Sequence, residues 1–322
     1  MDNVKIIGTG HLSKTKVLEK IKKANEEKIA IFRQWRLGDV IMCEPVANYF
    51  SKNGMDVIFC TRNQYHPIIK SFRSPIKTMT YLTLKQRENI RPIASREIDL
   101  DAVGLVHGGH VSKVDAFLAA AGIRDEISGD EKIPTIQIQN QHLSRGKMLL
   151  IEKGVSDEAP IIAIIRHSFS EQSPRSVSLN ILNEAMIKLS RDYQVIILGE
   201  KPSEIPINKN IYNFTGCTPD LMSVAGILAK CKILITIDTG LMHLAGAICL
   251  PMVSILGPTR PDDISSFYKY NTILDYGKDC SPCFDRGCDD NCLKKVSSEQ
   301  IVKYTIERIN ELFAPTEIIK LS

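Results

Sequence analysis

The chain has 322 residues, 43% hydrophobic and 24% charged, with a formal net charge of +4. This is the composition of an ordinary soluble globular protein, and the length favours two domains. The start, MDNVKIIGTGHLSKTK, has no apolar core of ~7–15 residues, and no apolar run nears the ~20 residues of a membrane span, which argues against a signal peptide or a transmembrane segment and for a cytoplasmic protein. Charge is unevenly spread: residues 1–157 carry 24 Lys+Arg against 18 Asp+Glu, and residues 158–322 carry 17 against 19. The basic first half suits an acidic partner, such as a phosphorylated glycolipid, a nucleic acid or the anionic face of a membrane to which the chain attaches peripherally.

In chain order, residues 1–28 are polar and Lys-rich and read as a helical N-terminal extension. A strand at 29–32 is followed by a short loop ending in Gly38-Asp39. A helix then runs to about residue 52, closed by Asn53-Gly54, and a strand occupies 55–61. Strand, helix, strand at this spacing is a βαβ unit and predicts a parallel sheet. Residues 99–122 read as strand, Gly-rich loop and helix. The polar stretch KGVSDEAP reads as an interdomain linker, dividing the chain into 29–157 and 158–322. The second part is regular, with strands at 161–165, 195–198, 232–237 and 252–257 and helices near 179–191, 219–230, after Gly240 and at 298–313. The fold expected is α/β, with two Rossmann-like units facing a cleft.

Two short stretches carry chemistry. In ITIDTGLMHLAG, an apolar strand stops at Asp238-Thr239-Gly240, just where a helix begins. Helix N-termini present unpaired backbone N–H groups that attract anions. Gly240 has no Cβ and so allows close approach to the backbone, and Thr239 adds a hydroxyl donor. Asp238 would repel phosphate, so a sugar hydroxyl or backbone N–H groups are its expected partners. A plain N-cap also explains Asp-Thr, and His243 also suits a buried structural histidine. In FRQWRLGDVIMCEPVANYF, Asp39 stands at a helix start, where it serves either as a cap or as a general base.

The region from NFTGCTPD through IDTGLMHL to LGPTRP resembles the C-terminal half of the ADP-heptose:lipopolysaccharide heptosyltransferase family, glycosyltransferase family 9. FRQWRLGDVIMCEP is similar to that family's opening pattern through Arg33, Gly38, Asp39 and Pro45. The resemblance spans roughly 29–310 and implies an inverting GT-B glycosyltransferase that moves a sugar from a nucleotide-diphosphate sugar to an acceptor hydroxyl. It implies an acceptor-binding first domain and a donor-binding second domain, with Asp39 as the base. Thr239 and Gly240 would hold the donor diphosphate, with Asp238, Leu241 and His243 near its sugar and phosphates. The loop RHSFSEQSPRSVS departs from the family pattern, having neither Trp nor Lys. Arg175 stands in there for a phosphate-binding lysine and Ser168 or Ser170 for a hydroxyl, while Glu200 and Thr218 would flank the nucleoside. From the residues themselves, Arg33 and Arg36 either position an acidic acceptor or are simply solvated, and His107, His110 and Lys113 of VHGGHVSK either contact the acceptor or belong to a Gly-rich turn.

The implied acceptor is a lipopolysaccharide core sugar, with a protein hydroxyl or a hydroxylated DNA base as rivals. A non-catalytic nucleotide- or metal-binding module and a nucleotide-sugar epimerase are the alternatives from other classes. No catalytic metal is expected, because the helix N-terminus and an arginine can stabilise a leaving diphosphate. The tripeptide Asp99-Leu100-Asp101 matches a manganese-binding motif of another transferase architecture, but it falls in the acceptor half, at an expected strand start, and is discounted.

Four of the nine cysteines cluster in CSPCFDRGCDDNC. Cys280, Cys283, Cys288 and Cys292 are spaced to surround one tetrahedral ion, zinc or iron. All four positions would be protein-filled, so the knuckle at 280–292 is expected to be structural.

Overall fold

The computed structural model describes residues 28–103, 111–166, 173–283 and 292–313. The first sheet has strands β1 (Lys28–Phe32), β2 (Asp56–Thr61), β3 (Lys77–Thr80) and β4 (Arg96–Asp99), in the order β3-β2-β1-β4. The second has β5 (Ile161–Ile165), β6 (Gln194–Leu198), β7 (Ile211–Asn213), β8 (Ile233–Ile237), β9 (Met252–Leu256) and β10 (Asn271–Asp275), in the order β10-β9-β8-β5-β6-β7. Every strand pairing in both sheets is parallel. Parallel strands need crossovers, and helices supply all of them but the one from β6 to β7. In the first half these are α1 (Leu37–Met42), α2 (Glu44–Lys52), α3 (His66–Ile69), α4 (Leu84–Ile90) and α5 (Lys113–Ala120). Then come α6 (Asn140–Glu152), α7 (Leu179–Leu189), α8 (Leu221–Leu228), α9 (Gly240–Ala247), α10 (Pro261–Ile264) and α11 (Ser298–Phe313).

The helix expected from Asp39 to about Lys52 is two helices. The first begins at Leu37, which puts Gly38 and Asp39 in its first turn rather than in a loop, and the break falls at Cys43. Pro45 sits at the second position of α2. Its ring nitrogen has no hydrogen to give to a carbonyl one turn earlier, so the two segments cannot merge into one regular helix. Arg36, just before α1, has φ 64°. This left-handed conformation is costly for a residue with a Cβ, by about 1–2 kcal/mol.

Alternating side chains send each sheet's apolar residues to two faces. Ala30, Phe32, Ile58 and Cys60 pack with Tyr81 and Ile90 on one side of the first sheet. Ile29, Ile31, Val57 and Phe59 point the other way, into a cluster that also holds Ala163, Ile165, Ile196 and Leu234 of the second sheet. One apolar core therefore runs through both halves. The far face of the second sheet is covered by α7 and α11, through Leu182, Met186 and Ile301. Burying each such side chain contributes about 1.5–3 kcal/mol.

Helix α6 lies before the expected linker, yet it packs on α8 of the second half. The contact is backbone to backbone. A Cβ on Gly146 would fall 2.2 Å from the carbonyl carbon of Gly226, and one on Gly226 would fall 2.0 Å from the oxygen of His142. Only glycine fits at either position.

Candidate active site

The two motif helices meet. A Cβ on Gly38 of α1 would lie 2.3 Å from Cδ2 of His243 on α9, and a Cβ on Gly240 would lie 2.8 Å from Cβ of Leu37. The space beside Gly240 is thus taken by Leu37, so this glycine is required by helix contact, whatever else approaches it.

Asp39 pairs with the Arg33 guanidinium, whose Nη1 donates to the Leu100 carbonyl at 2.7 Å. Arg33 is only 7% exposed and lies over the Phe117 ring. Its orientation is set by a carboxylate, a strand-end carbonyl and an aromatic face. Nearby, Lys113 donates to the Val103 carbonyl at 3.1 Å. Burial lowers the Lys113 pKa while Asp39 pulls it back up. Cys43 lies in the same field, its thiol pushed up by burial.

On the other helix, Thr239 is the N-cap of α9, and its hydroxyl accepts from the Met242 N–H at 3.3 Å. Among the described residues, the partners of Asp238 are side chains. One of its carboxylate oxygens accepts from Arg175 Nη1 at 2.9 Å and from the Thr259 hydroxyl at 2.7 Å. These contacts tie the loop after β5 and the loop after β9 to the tip of β8. Arg175 is thereby brought beside the start of α9. His243 is buried, and its Nδ1 lies 3.2 Å from the Tyr268 hydroxyl. Burial lowers the imidazole pKa, while the Asp238 and Asp39 carboxylates raise it. His243 therefore stands in the field of both acids, one from each half of the chain.

The remaining expected residues are more scattered. Glu200 is exposed just beyond β6, and Thr218 is half-buried before α8. Arg36 is exposed at the N-cap of α1, and Leu241 is half-buried in the first turn of α9. Ser168, Ser170, His107, His110 and Cys288 lie outside the described residues, as does the extension up to residue 27. Asp99 closes β4, so the Asp-Leu-Asp tripeptide sits at a strand end and not at the strand start expected for it. Its acids are engaged by protein groups: Asp99 pairs with Arg87 at 2.8 Å, and Asp101 accepts from the Tyr81 hydroxyl.

Cys280 is exposed, and Cys283 and Cys292 are half-buried. Among the described residues no group of three or more His, Cys, Asp or Glu is placed to hold a metal ion. No helix among them is long and apolar enough to cross a membrane.

Two partners escape the sequence reading. Thr259 belongs to the GPTRP stretch and could have been found there as a hydroxyl beside Asp238. Tyr268 carries no local signal, because its link to His243 spans a helix and a strand.

Residues 185–294 match the family model for glycosyltransferase family 9 (heptosyltransferase). That match takes in about a third of the chain. The chain is 25% identical over 181 residues to lipopolysaccharide heptosyltransferase 2 of Salmonella typhimurium, covering 52% of this chain and 50% of that protein. The chain spans about half or less of the length of the curated heptosyltransferases it matches first. The heptosyltransferase-like fold extends further than the sequence likeness. The structure of Escherichia coli ADP-heptose LPS heptosyltransferase II superposes with a TM-score of 0.67 at 15% identity, over 89% of this chain and 99% of that one. An iron-containing dodecameric glycosyltransferase from enterotoxigenic Escherichia coli superposes with a TM-score of 0.63 at 16% identity, over 89% of this chain and 77% of that one.

Proposed function

We propose that this protein transfers a sugar from a nucleotide-diphosphate sugar to an acceptor hydroxyl with inversion. The observation that carries the reading is the direct contact of α1, bearing Asp39, with α9, bearing the Thr239-Gly240 turn. It brings the helix that carries a carboxylate of the first half against the helix start that, on this reading, binds the diphosphate in the second. In the reaction, Asp39 takes the proton from the acceptor hydroxyl as that oxygen attacks the anomeric carbon. The bond from that carbon to the diphosphate oxygen breaks on the opposite side, and the nucleoside diphosphate leaves with the electron pair. The α9 N-terminus and Arg175 stabilise the charge that develops there. Leu241, Glu200, Thr218 and Ser168 are the further proposed donor contacts, and Arg36, His107 and His110 the proposed acceptor contacts.

The relatives that match are lipopolysaccharide heptosyltransferases, so a heptose donor and a lipopolysaccharide core sugar are the substrates this reading favours. The first half, 29–157, is assigned to the acceptor and the second, 158–322, to the donor. The test is product analysis. The full chain is incubated with ADP-heptose and a core oligosaccharide, and both the released nucleoside diphosphate and the anomeric configuration of the product are recorded. Transfer with retained configuration, or hydrolysis of donor with no acceptor product under any condition, would reject the proposal.

The cysteines form a second, structural part of the proposal. The thiol chemistry of Cys280, Cys283 and Cys292, with Cys288 between them in sequence, suits one zinc or iron ion. Cys292 opens a short helical turn whose next residue, Leu293, is buried in the core below α11. An ion there would pin the segment leading into that helix.

A further inference from the structure

A cavity of about 400 Å³ opens at the carboxyl edge of the first sheet. It is lined by Arg33, Gln34 and Trp35 after β1, Tyr81 and Leu82 after β3, and Asp101 after β4. We infer that this cavity binds a neutral pyranose ring of the acceptor, with Trp35 under the ring's C–H face and Asp101 accepting from its hydroxyls. Its assignment to the acceptor rests on the transferase reading above; the sugar site itself rests on the cavity.

Trp35 is the single tryptophan of the chain, and it is 55% exposed. A large aromatic left half outside the core forfeits stabilisation that burial would give. Here it is held in place all the same: the Arg62 guanidinium lies 3.3 Å from its ring centroid. A fixed and solvent-facing indole is a ready platform for the apolar face of a sugar.

Asp101 supplies the polar side. One carboxylate oxygen accepts from the Gln34 backbone N–H at 2.7 Å, and the other accepts from the Tyr81 hydroxyl. Both donors are neutral. They fix the carboxylate without cancelling its charge, and each oxygen keeps capacity for another hydrogen bond. The two arginines of the lining are engaged with acids of the protein: Arg33 with Asp39, and Arg87 with Glu97 and Asp99. A ligand rich in hydroxyl donors suits this arrangement better than a second carboxylate does.

The wall is preorganised. Thr83 and Gln86 form a capping box at the start of α4, and the Leu82 N–H also donates to Gln86 Oε1 at 2.7 Å. The Tyr81 ring meets Phe32 edge-on at 5.2 Å. The volume lies within the range of small-ligand sites, roughly 300–1,000 Å³. Arg33 joins the cavity to the chemistry, since the same guanidinium that lines it holds Asp39. A ring bound here is one side chain away from the proposed base.

The only indole of the chain reports on the cavity directly. Full-length protein is titrated with methyl α-mannoside, methyl α-glucoside, methyl α-galactoside and a methyl glucuronide while Trp35 emission is followed. At least one neutral pyranoside is expected to change the emission saturably. Asp101→Asn should weaken that binding about tenfold, the worth of a charge-assisted hydrogen bond. Tyr81→Phe, which frees the carboxylate but keeps the ring, should weaken it less; it serves as the test if Asp101→Asn does not fold. The inference is overturned if no neutral pyranoside alters the emission, if only the glucuronide does, or if both variants bind as the wild type does. A thermal-shift titration with nucleoside diphosphates on the same sample reports separately on the α9 turn. Nucleotide binding with a silent Trp35 removes the cavity alone. Pyranoside binding without nucleotide binding removes the transferase reading and leaves the sugar site standing.

Discussion

Gly38 and His243 are in van der Waals contact across the boundary between the two halves, so close that a single added methyl group would sit 2.3 Å from the imidazole carbon Cδ2. The imidazole is 3% exposed and is anchored on its other side by Tyr268, so it has little room to withdraw. Gly38→Ala is therefore expected to destabilise the fold by about 1–3 kcal/mol, as overpacking does, and to depress transfer by displacing Asp39, its neighbour in sequence. Gly54→Ala is the control. Its φ is +82° and nothing lies within 4 Å of the added Cβ, so it should cost stability without touching transfer. Melting curves and initial rates on both variants check this. Equal rate losses would show that the contact does not position the base.

Asp39→Asn removes the proposed base while keeping its shape. Transfer should fall about 10²- to 10⁴-fold, the usual contribution of a general base, and nucleoside diphosphate binding should persist. Single-turnover rates beside a nucleotide thermal shift separate the two effects. A variant that transfers at the wild-type rate would mean Asp39 only orders Arg33.

Asp238 joins Arg175 and Thr259 through one oxygen. Asp238→Ala should release both loops at once and raise the donor KM, with Thr259→Ala giving a smaller rise in the same direction. Kinetics at varied donor concentration test the order. If Thr259→Ala proves the more damaging, the hydroxyl itself contacts the donor.

The His243 pKa is lowered by burial. Below the unfolded value of about 6.5, the unfolded chain takes up a proton that the folded chain resists. Stability contributed by neutral His243 is thus present at neutral pH and is lost as pH falls through that value toward the lower folded one. His243→Gln should flatten this part of the profile. Chemical denaturation at a series of pH values between about 7 and 5, spanning that titration, measures it. An unchanged slope would assign the titration to another group such as His66, whose pKa is also lowered by burial.

If the cysteine cluster holds an ion, purified protein should contain about one zinc or iron per chain. Cys283→Ser should lose it together with thermal stability, leaving nucleotide binding in place. Metal analysis of wild type and variant decides the matter; metal-free wild type with an unchanged melting point removes the knuckle.

Much of the architecture is legible because buried parallel strands are continuous apolar runs. Residues 161–165, 195–198 and 252–257 stand out for that reason, and the bounds of β5, β6 and β9 differ from them by no more than one residue. Strands β3 and β7 leave no such mark. KTMT is half exposed and IYN is only three residues long, so neither shows a run or a clean alternation. Helix α6 escapes too, because its moderate amphipathicity is interrupted by Gly146, a residue whose place in a helix makes sense only once Gly226 is seen against it. At the site, Asp39, Thr239 and His243 can be singled out from motifs. Their pairings with Arg33, Met242 and Tyr268 are less accessible; the last of them reaches across 25 positions. Asp101 reads from sequence only as half of a discounted metal motif. Its company, Gln34 and Tyr81, is 67 and 20 residues away in sequence, and only folding assembles it.

The apolar cluster shared by the two sheets bears on how the protein comes apart. Two lobes with separate cores could melt one after the other and could be expressed singly. Here, cutting between residues 157 and 158 would strip α6 from α8 and leave each fragment with a wide greasy face open to water, prone to clump with its own kind. Loss of either lobe should carry the other with it, so heat or urea ought to produce one sharp transition.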